Sequence, residues 1–429
     1  MVTRAAEELA AARSVELEEH LFRRESGRLL AALTRIFGLH NLSLVEDVVQ
    51  EAFCRAVEIW KVSGVPENPR GWLLTTAKHR ALDIVRNQRR ADNFAVELGR
   101  LLEGEWTIAK AVDEAFSENA IADEQLRMMF SCCHPRLSEE AQVSLILNIL
   151  CGFGAPEIAA AYLSGRAAVE KRISRGKKVL QERQRSFDLS DAEFATRLAA
   201  VQCALYLLFS EGYHGTCAER AVRRELCDEA LRLVLLLREH PLASTPTTDA
   251  LAALMCMHAA RLATRVDVTG ELSELRQQDR SRWDQELIRR GLRLLEESAR
   301  GLNVSGYHVE AAIAAVHASS RSLEETDWPS IVALYDRLMQ VAPSPIVALN
   351  RAIAVGHCEG PERGLAELHA LSIEPKLSAY PFYAAALAEF ELRLGNPSAA
   401  RDHLQLAVGL ARNPDERRAL KRRLSSLQK

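Results

Sequence analysis

Apolar residues recur at three- and four-residue spacing along nearly the whole chain, and the alternating patterns and tight hairpin turns of strands are missing. That period admits one class of fold, all-α. Each apolar stripe must then be covered by another helix, because no sheet is available to cover it. Glycine and proline fall mainly between the periodic runs, as in Val65-Pro66-Glu67-Asn68-Pro69, Gly152 to Pro156 and Pro241 to Pro246, and mark breaks between sections.

The 429 residues suffice for two or three domains at roughly 150 residues each. No apolar run approaches the roughly 20 residues that span a bilayer. One of the longest, Ala199 to Phe209, breaks at Ser210-Glu211. The opening residues, with Arg4, Glu7, Glu8, Arg13 and Glu16, lack the apolar segment of a secretory signal. Nine cysteines among apolar neighbours do not read as a disulfide framework. A cytoplasmic protein without a membrane partner is expected.

Fifty-five basic against 58 acidic residues leave a net charge of -3, which excludes a uniformly basic coat but not local patches. Resolved along the chain, the charge is uneven. A first section, residues 1–91, ends in a basic helix carrying Lys78, His79, Arg80, Arg86, Arg89 and Arg90. An acidic linker, residues 92–122, follows. From Glu97 to Glu124 the chain sets Glu97, Glu103, Glu105, Asp113, Glu114, Glu118, Asp123 and Glu124 against only Arg100 and Lys110. The section at 123–186 closes with Arg166, Lys171, Arg172, Arg175, Lys177, Lys178, Arg183 and Arg185.

Beyond it, residues 187–429 carry mixed charge, and helix pairs recur at roughly 35-residue intervals, as in helical solenoids. The clearest unit is Phe382 to Val408, with Leu387-Ala388, Gly395, Ala400, Leu404 and Ala407 at the packing positions of a tetratricopeptide hairpin and Glu391 where a tyrosine belongs. Pro343-Ser344-Pro345 reads as another turn between repeats. A tetratricopeptide-like array is expected, with a generic helical bundle as the alternative.

A helix-turn-helix needs a support helix, a tight turn and a second helix with an exposed donor face. Pro156 to Leu163 supplies the first, Ser164-Gly165 the turn, and Ala167 to Leu180 the second. On that second helix Val169, Ile173, Gly176 and Leu180 form one stripe for the core. Arg166, Glu170, Lys171, Arg172, Arg175 and Lys178 are left largely outward, where basic side chains contact phosphates and guanine edges.

Enzyme signatures fail, and no catalytic residue, cofactor or metal is expected. Gly176-Lys177 lacks the rest of a phosphate loop, and neither His-Glu-x-x-His nor Gly-x-Ser-x-Gly occurs. Cys132-Cys133-His134 has no second ligand pair at zinc spacing and reads as a buried helix end. Two clusters stand apart. One is Leu205 to Tyr213, closing on Glu211-Gly212-Tyr213; the other is Gln278 to Asp284, with Asp279, Arg280 and Arg282 around Trp283. Each is either a capped helix end with an internal ion-pair network or a ligand or partner site.

The first section contains Asp47-Val48-Val49-Gln50-Glu51-Ala52-Phe53, Ala56, Trp60, Asn68-Pro69-Arg70-Gly71-Trp72-Leu73, then Ala77, Arg80-Ala81-Leu82-Asp83 and Arg86. This order resembles region 2 of bacterial RNA polymerase sigma factors of the extracytoplasmic-function (ECF) class. The helix-turn-helix section resembles their region 4. Phe130-Ser131-Cys132-Cys133-His134-Pro135 and the two clusters resemble the subgroup with a C-terminal tetratricopeptide-like extension.

The resemblance implies a promoter-specificity subunit rather than an enzyme. Asp47, Gln50, Glu51 and Phe53 would dock on the β′ clamp of core polymerase. Asn68, Arg70, Lys78, His79, Arg80 and Arg86 would read and melt the minus-ten element, which requires a pocket for an unstacked base and cations along the single strand. Trp72 would either stack on that base or belong to the core. Arg166, Glu170, Lys171, Arg172, Arg175 and Lys178 would enter the major groove at the minus-thirty-five element while the other face rests on the β flap. The acidic linker would mimic RNA in the polymerase cleft or be a solvated spacer, and the extension would tune activity in cis. No anti-sigma partner follows from these residues. Ser164-Gly165-Arg166 departs from the usual Gly-x-Pro turn, which puts individual base contacts in doubt. The alternative reading is a one-component regulator whose repeats sense a ligand, but such a protein has no need of the Asp47 to Phe53 helix.

Overall fold

The computed structural model describes residues 25–90, 118–162, 164–182, 191–215, 222–267 and 272–427. Among these residues the fold is helical throughout, and the only pairing of extended backbone is an isolated bridge between Val266 and Leu272. The chain divides into two compact units, Met1–Ala204 and Leu205–Lys429.

The first unit opens with α1 (residues 25–37), a short 3-10 turn Leu39–Asn41, α2 (Leu42–Ser63) and α3 (Pro69–Arg90). Leu42, Val45, Val49, Ala52, Ala56 and Trp60 recur at three and four residues on α2 and are all buried. Leu73, Ala77, Ala81 and Val85 do the same on α3, so the two helices close a core with Leu29, Leu33 and Phe37 of α1. Gly38 separates α1 from the turn at φ 78°, a conformation other residues adopt at a cost.

Four further helices follow: α4 (Glu118–Cys132), α5 (Glu139–Ile149), α6 (Ala155–Ala161) and α7 (Arg166–Gln181). Ser138 caps α5 by accepting from the Ala141 N–H, and Glu157 reaches back to the Gly154 N–H at 2.8 Å to close the first turn of α6. Leu145, Ile146 and Leu147 of α5 are fully buried and form the floor on which α7 lies. Gly176 of α7 makes that approach possible, because a β-carbon there would stand 2.7 Å from Leu145 Cδ1. The apolar stripe of α7 is Val169, Ile173, Gly176 and Leu180, as its spacing requires. The Phe194 ring of α8 (Asp191–His214) stacks on Phe130 of α4 at 3.7 Å.

Most of the acidic stretch lies outside the described residues, as do Arg183 and Arg185. Its last members, Glu118, Asp123 and Glu124, lie within α4, so the helix begins before the expected end of the linker at 122. The Glu124 side chain is almost wholly buried 3.9 Å from Arg127. Cys132 and Cys133 are buried at the end of α4, and burial pushes the Cys133 thiol up to about 12. Among the described residues no group of three His, Cys, Asp or Glu could hold a metal ion. None of the described helices is long and apolar enough to cross a membrane.

The second unit contains α9 (Arg224–Glu239), α10 (Pro246–Ala259), α11 (Leu262–Arg265), 3-10 turns at Leu275–Gln277 and Arg280–Arg282, α12 (Gln285–Ser298) and α13 (Gly306–Ser319). After these come α14 (Trp328–Val341), α15 (Pro345–Cys358), α16 (Pro361–Ala370), α17 (Pro375–Ser378), α18 (Pro381–Arg393), α19 (Pro397–Leu410) and α20 (Pro414–Ser426). Proline fills the first position of most of these later helices, where its missing N–H costs no hydrogen bond. Ser344 and Asn413 supply the caps before two of those prolines by accepting from the N–H of Val347 and Glu416.

The clusters follow in chain order, and each joins one helix pair to the next helix. Val309, Ile331 and Leu338 form one, Leu349, Leu368 and Phe390 the next, and Ala388, Ala400, Leu404 and Ala407 the last. Successive pairs begin at Pro345 and Pro381, close to the expected interval.

Candidate nucleic-acid and polymerase interface

The exposed face of α2 follows from its buried one. With Val45, Val48, Val49 and Ala52 turned inward, Asp47 and Gln50 point to solvent, three residues apart on adjacent turns. Phe53 is half-buried. Glu51 is not a free carboxylate: Arg80 of α3 donates to its Oε2 at 2.8 Å. The structure thus ties one expected polymerase contact to one expected DNA contact.

The minus-ten candidates divide by environment. His79 and Arg86 are exposed, while Lys78 and Arg80 are half-buried. Asn68 stands just before α3, and its Oδ1 accepts from the Gly71 N–H at 2.9 Å, which makes it the cap of that helix. Arg70 turns toward α1, its Nε 3.5 Å from the buried carboxylate of Glu25. Trp72 meets the buried Trp60 edge to face at 5.5 Å and keeps part of its surface exposed, so it is a member of the core at its margin.

On α7 the expected outward face is mostly present, with one correction. Lys171, Arg175 and Lys178 are exposed at i, i+4 and i+7 and form a single basic line. Arg166 is exposed but pairs with Glu170 at 2.7 Å. Arg172 is not outward. Its side chain is only 21% exposed because Nη2 donates to Glu140 of α5 at 2.6 Å and the guanidinium lies 5.9 Å from the Tyr162 ring. Lys177 also turns away from the basic line, donating to Glu46 of α2 at 2.6 Å, and next to it Gln181 donates to Ser43 at 2.7 Å.

Both unusual clusters of the second unit are built into its interior. Glu211 is buried and accepts from Arg223 Nη2 at 2.7 Å. Gly212 has no room for a side chain, since a β-carbon would meet Arg223 O and Cys227 Sγ at 2.8 Å. Tyr213 is buried under Arg265, whose Cζ lies 4.4 Å from its ring.

In the other cluster Asp279 caps the turn at Arg280–Arg282, and the bonds from Ser281 N–H and Oγ hold its carboxyl below the usual range. Arg280 is buried and donates to the carbonyls of His317 and Ser320 at 2.8 and 2.9 Å. Trp283 is buried near two guanidiniums, Arg261 at 5.0 Å and Arg280 at 5.2 Å. Arg282 is exposed, and Asp284 caps α12 through the N–H groups of Glu286 and Leu287. Of the two readings, capped ends with internal networks accounts for most of these residues.

Residues 21–91 match the family of sigma-70 region 2, and residues 197–299 match a family of unknown function, DUF6596. Over 402 residues the chain is 36% identical to an uncharacterized protein of Rhizobium meliloti (strain 1021), covering 93% of both chains. The chain belongs to that protein's family. In this chain the sigma-70 region 2 domain spans α1 to α3 and is followed by a long helical remainder. No solved structure matches the chain. The sigma-70 region 2 domain supports a role as an RNA polymerase sigma factor, acting with core polymerase and promoter DNA in transcription initiation. The DUF6596 match covers both clusters and assigns them no function.

Within the sigma-70 region 2 domain, sequence reasoning missed Glu25 and Arg28, both buried on α1 and 3.8 Å apart. Only their placement on an apolar face could have marked them. The Arg172 to Glu140 and Lys177 to Glu46 pairs were also missed, because their partners lie 32 and 131 residues away.

Proposed function

We propose that the chain is a sigma factor of the ECF class in which α1 to α3 bind core polymerase and the minus-ten element, α6 and α7 form a helix-turn-helix for the minus-thirty-five element, and a tetratricopeptide-like extension modulates activity in cis. The match of residues 21–91 to sigma-70 region 2 carries the reading. Two features of the geometry support it. Asp47 and Gln50 present acidic and amide groups on one exposed face of α2, suited to a basic surface such as that expected of the β′ clamp. Lys171, Arg175 and Lys178 present three cations in line on α7 above a fully apolar inner face, the arrangement a recognition helix needs to meet phosphates and base edges. The β flap is the proposed seat for the remainder of that domain, the acidic linker the proposed occupant of the polymerase cleft, and the cytoplasm the proposed compartment.

Run-off transcription with purified core polymerase on a cognate promoter tests the reading. Initiation that depends on the full chain is expected. Operator binding without initiation would sink it in favour of a one-component regulator. Truncation after about Arg185 is expected to change output, and unchanged output would remove the proposed role of the extension.

A further inference from the structure

Buried donors without acceptors gather at one place in the second unit. Tyr213 is 4% exposed, and its hydroxyl has no hydrogen-bond partner among the described residues. The His258 ring lies 5.0 Å from the Tyr213 ring, and Arg265 covers that ring at 4.4 Å. Among the described residues His258 Nδ1 and Arg265 Nε are likewise buried and unpartnered, while Arg265 Nη2 donates to the Tyr213 carbonyl at 2.9 Å. Arg261, one helical turn before Arg265, reaches only Gln278 Oε1, through two long contacts at 3.4 Å. Trp283 beneath Arg261 and the neighbouring His317 each hold another buried ring nitrogen without a partner.

Among the described residues no carboxylate pairs with Arg261 or Arg265. Three acids of this unit are committed elsewhere: Glu211 to Arg223, Glu416 to Arg412, and Asp279 to its own turn. Burial, then Arg261, Arg265 and His317, push His258 down to about 3, as a field of uncompensated positive charge would. His258, Arg261 and Arg265 each keep part of their surface exposed.

Clustered cations without a carboxylate and orphan buried donors are expensive to maintain unless something answers them. Guanidinium forks beside a tyrosine hydroxyl and an imidazole are the donor set that meets an oxyanion. We propose that Tyr213, His258, Arg261 and Arg265 form a binding site for an oxyanionic group, phosphate or carboxylate, carried by a small molecule. The site gives the Glu211-Gly212-Tyr213 motif a purpose beyond capping. Arg223 neutralises Glu211, Gly212 lets the backbone pack against Cys227, and the Tyr213 ring is thereby held beneath Arg265. The inference is independent of whether the first unit engages polymerase.

Isothermal titration of the full chain with inorganic phosphate and, separately, with succinate tests it, with chloride at matched ionic strength as the reference. Saturable binding of one probe is expected. Phosphate alone would assign a phosphoryl ligand, and succinate alone a carboxylate. Tyr213→Phe keeps the ring and removes the hydroxyl, and Arg261→Gln removes the fork; each is expected to weaken binding at least tenfold. Circular dichroism establishes that the variants fold. Absence of saturable binding to either probe, or equal binding by the wild type and Tyr213→Phe, would overturn the proposal. Should Arg261→Gln fail to fold, Tyr213→Phe alone decides.

Discussion

Arg80 of α3 donates through Nε to Glu51 of α2 across 2.8 Å, and each side chain keeps about two-fifths of its surface in water, 41% and 42%. A pair so exposed contributes about 0 to 1 kcal/mol to stability. Glu51→Ala is therefore expected to leave urea unfolding within about 1 kcal/mol of the wild type. A large loss of polymerase binding in that variant would then report a lost partner contact. A loss of several kcal/mol in unfolding would instead show that the pair holds α2 to α3.

Arg172 and Arg175 stand three residues apart on α7 but face different neighbours. Arg175→Ala is expected to weaken promoter DNA binding and lower the salt dependence by about one phosphate, a slope change of ~0.9, with unfolding unchanged. Arg172→Ala removes the bond to Glu140 and the contact with Tyr162, so it is expected to lower stability as well. Titrations at several salt concentrations, beside denaturant unfolding, separate the two. Equal loss of stability in both would place Arg175 in the fold.

Glu310 of α13 accepts from Tyr206 Oη at 3.1 Å, and burial pushes its carboxyl up to about 7. A folded value raised above the unfolded one means that the native state binds the proton more tightly. The stability it brings is complete below about pH 4.5 and is lost as pH rises through 7, by up to about 3 kcal/mol. Glu310→Gln is expected to flatten that decline in unfolding curves between pH 5 and pH 8. An unchanged decline would assign it to other groups.

Gly176 lies flush on Leu145, which is fully buried. Gly176→Val is expected to cost about 1–3 kcal/mol through overpacking, read as a lower urea midpoint at constant m-value. An unaltered midpoint would mean that α5 and α7 are not in close contact.

The helical class, the stripe on α7 and the restart at Ser344-Pro345 were legible because each depends on residues within a few positions of one another. What was not legible depends on distance along the chain. Arg172 looked outward by its helical phase, and only Glu140 on a separate helix turns it. Glu124 read as part of a solvated acidic run by composition, yet sits inside α4. Asn68 and Arg70 were chosen as cations and amides near a loop, and the structure gives them work within the fold, as a cap and as a partner of Glu25. The motif at Gln278 to Asp284 was visible as an oddity of composition. Its networks, which run to His317, Ser320 and Ala260, were not.

The prolines that open the later helices have a bearing on how such a chain changes over time. Each one begins its helix afresh, so a residue inserted in α16 shifts the phase of that helix without shifting the phase of α18 or α19, and α18 feels it through the packing of Leu368 on Phe390. Genes for such arrays can therefore lengthen or shorten by whole helix pairs, with repacking confined to the neighbouring pair. Relatives of this chain should differ more readily in the number of pairs than in the spacing within one.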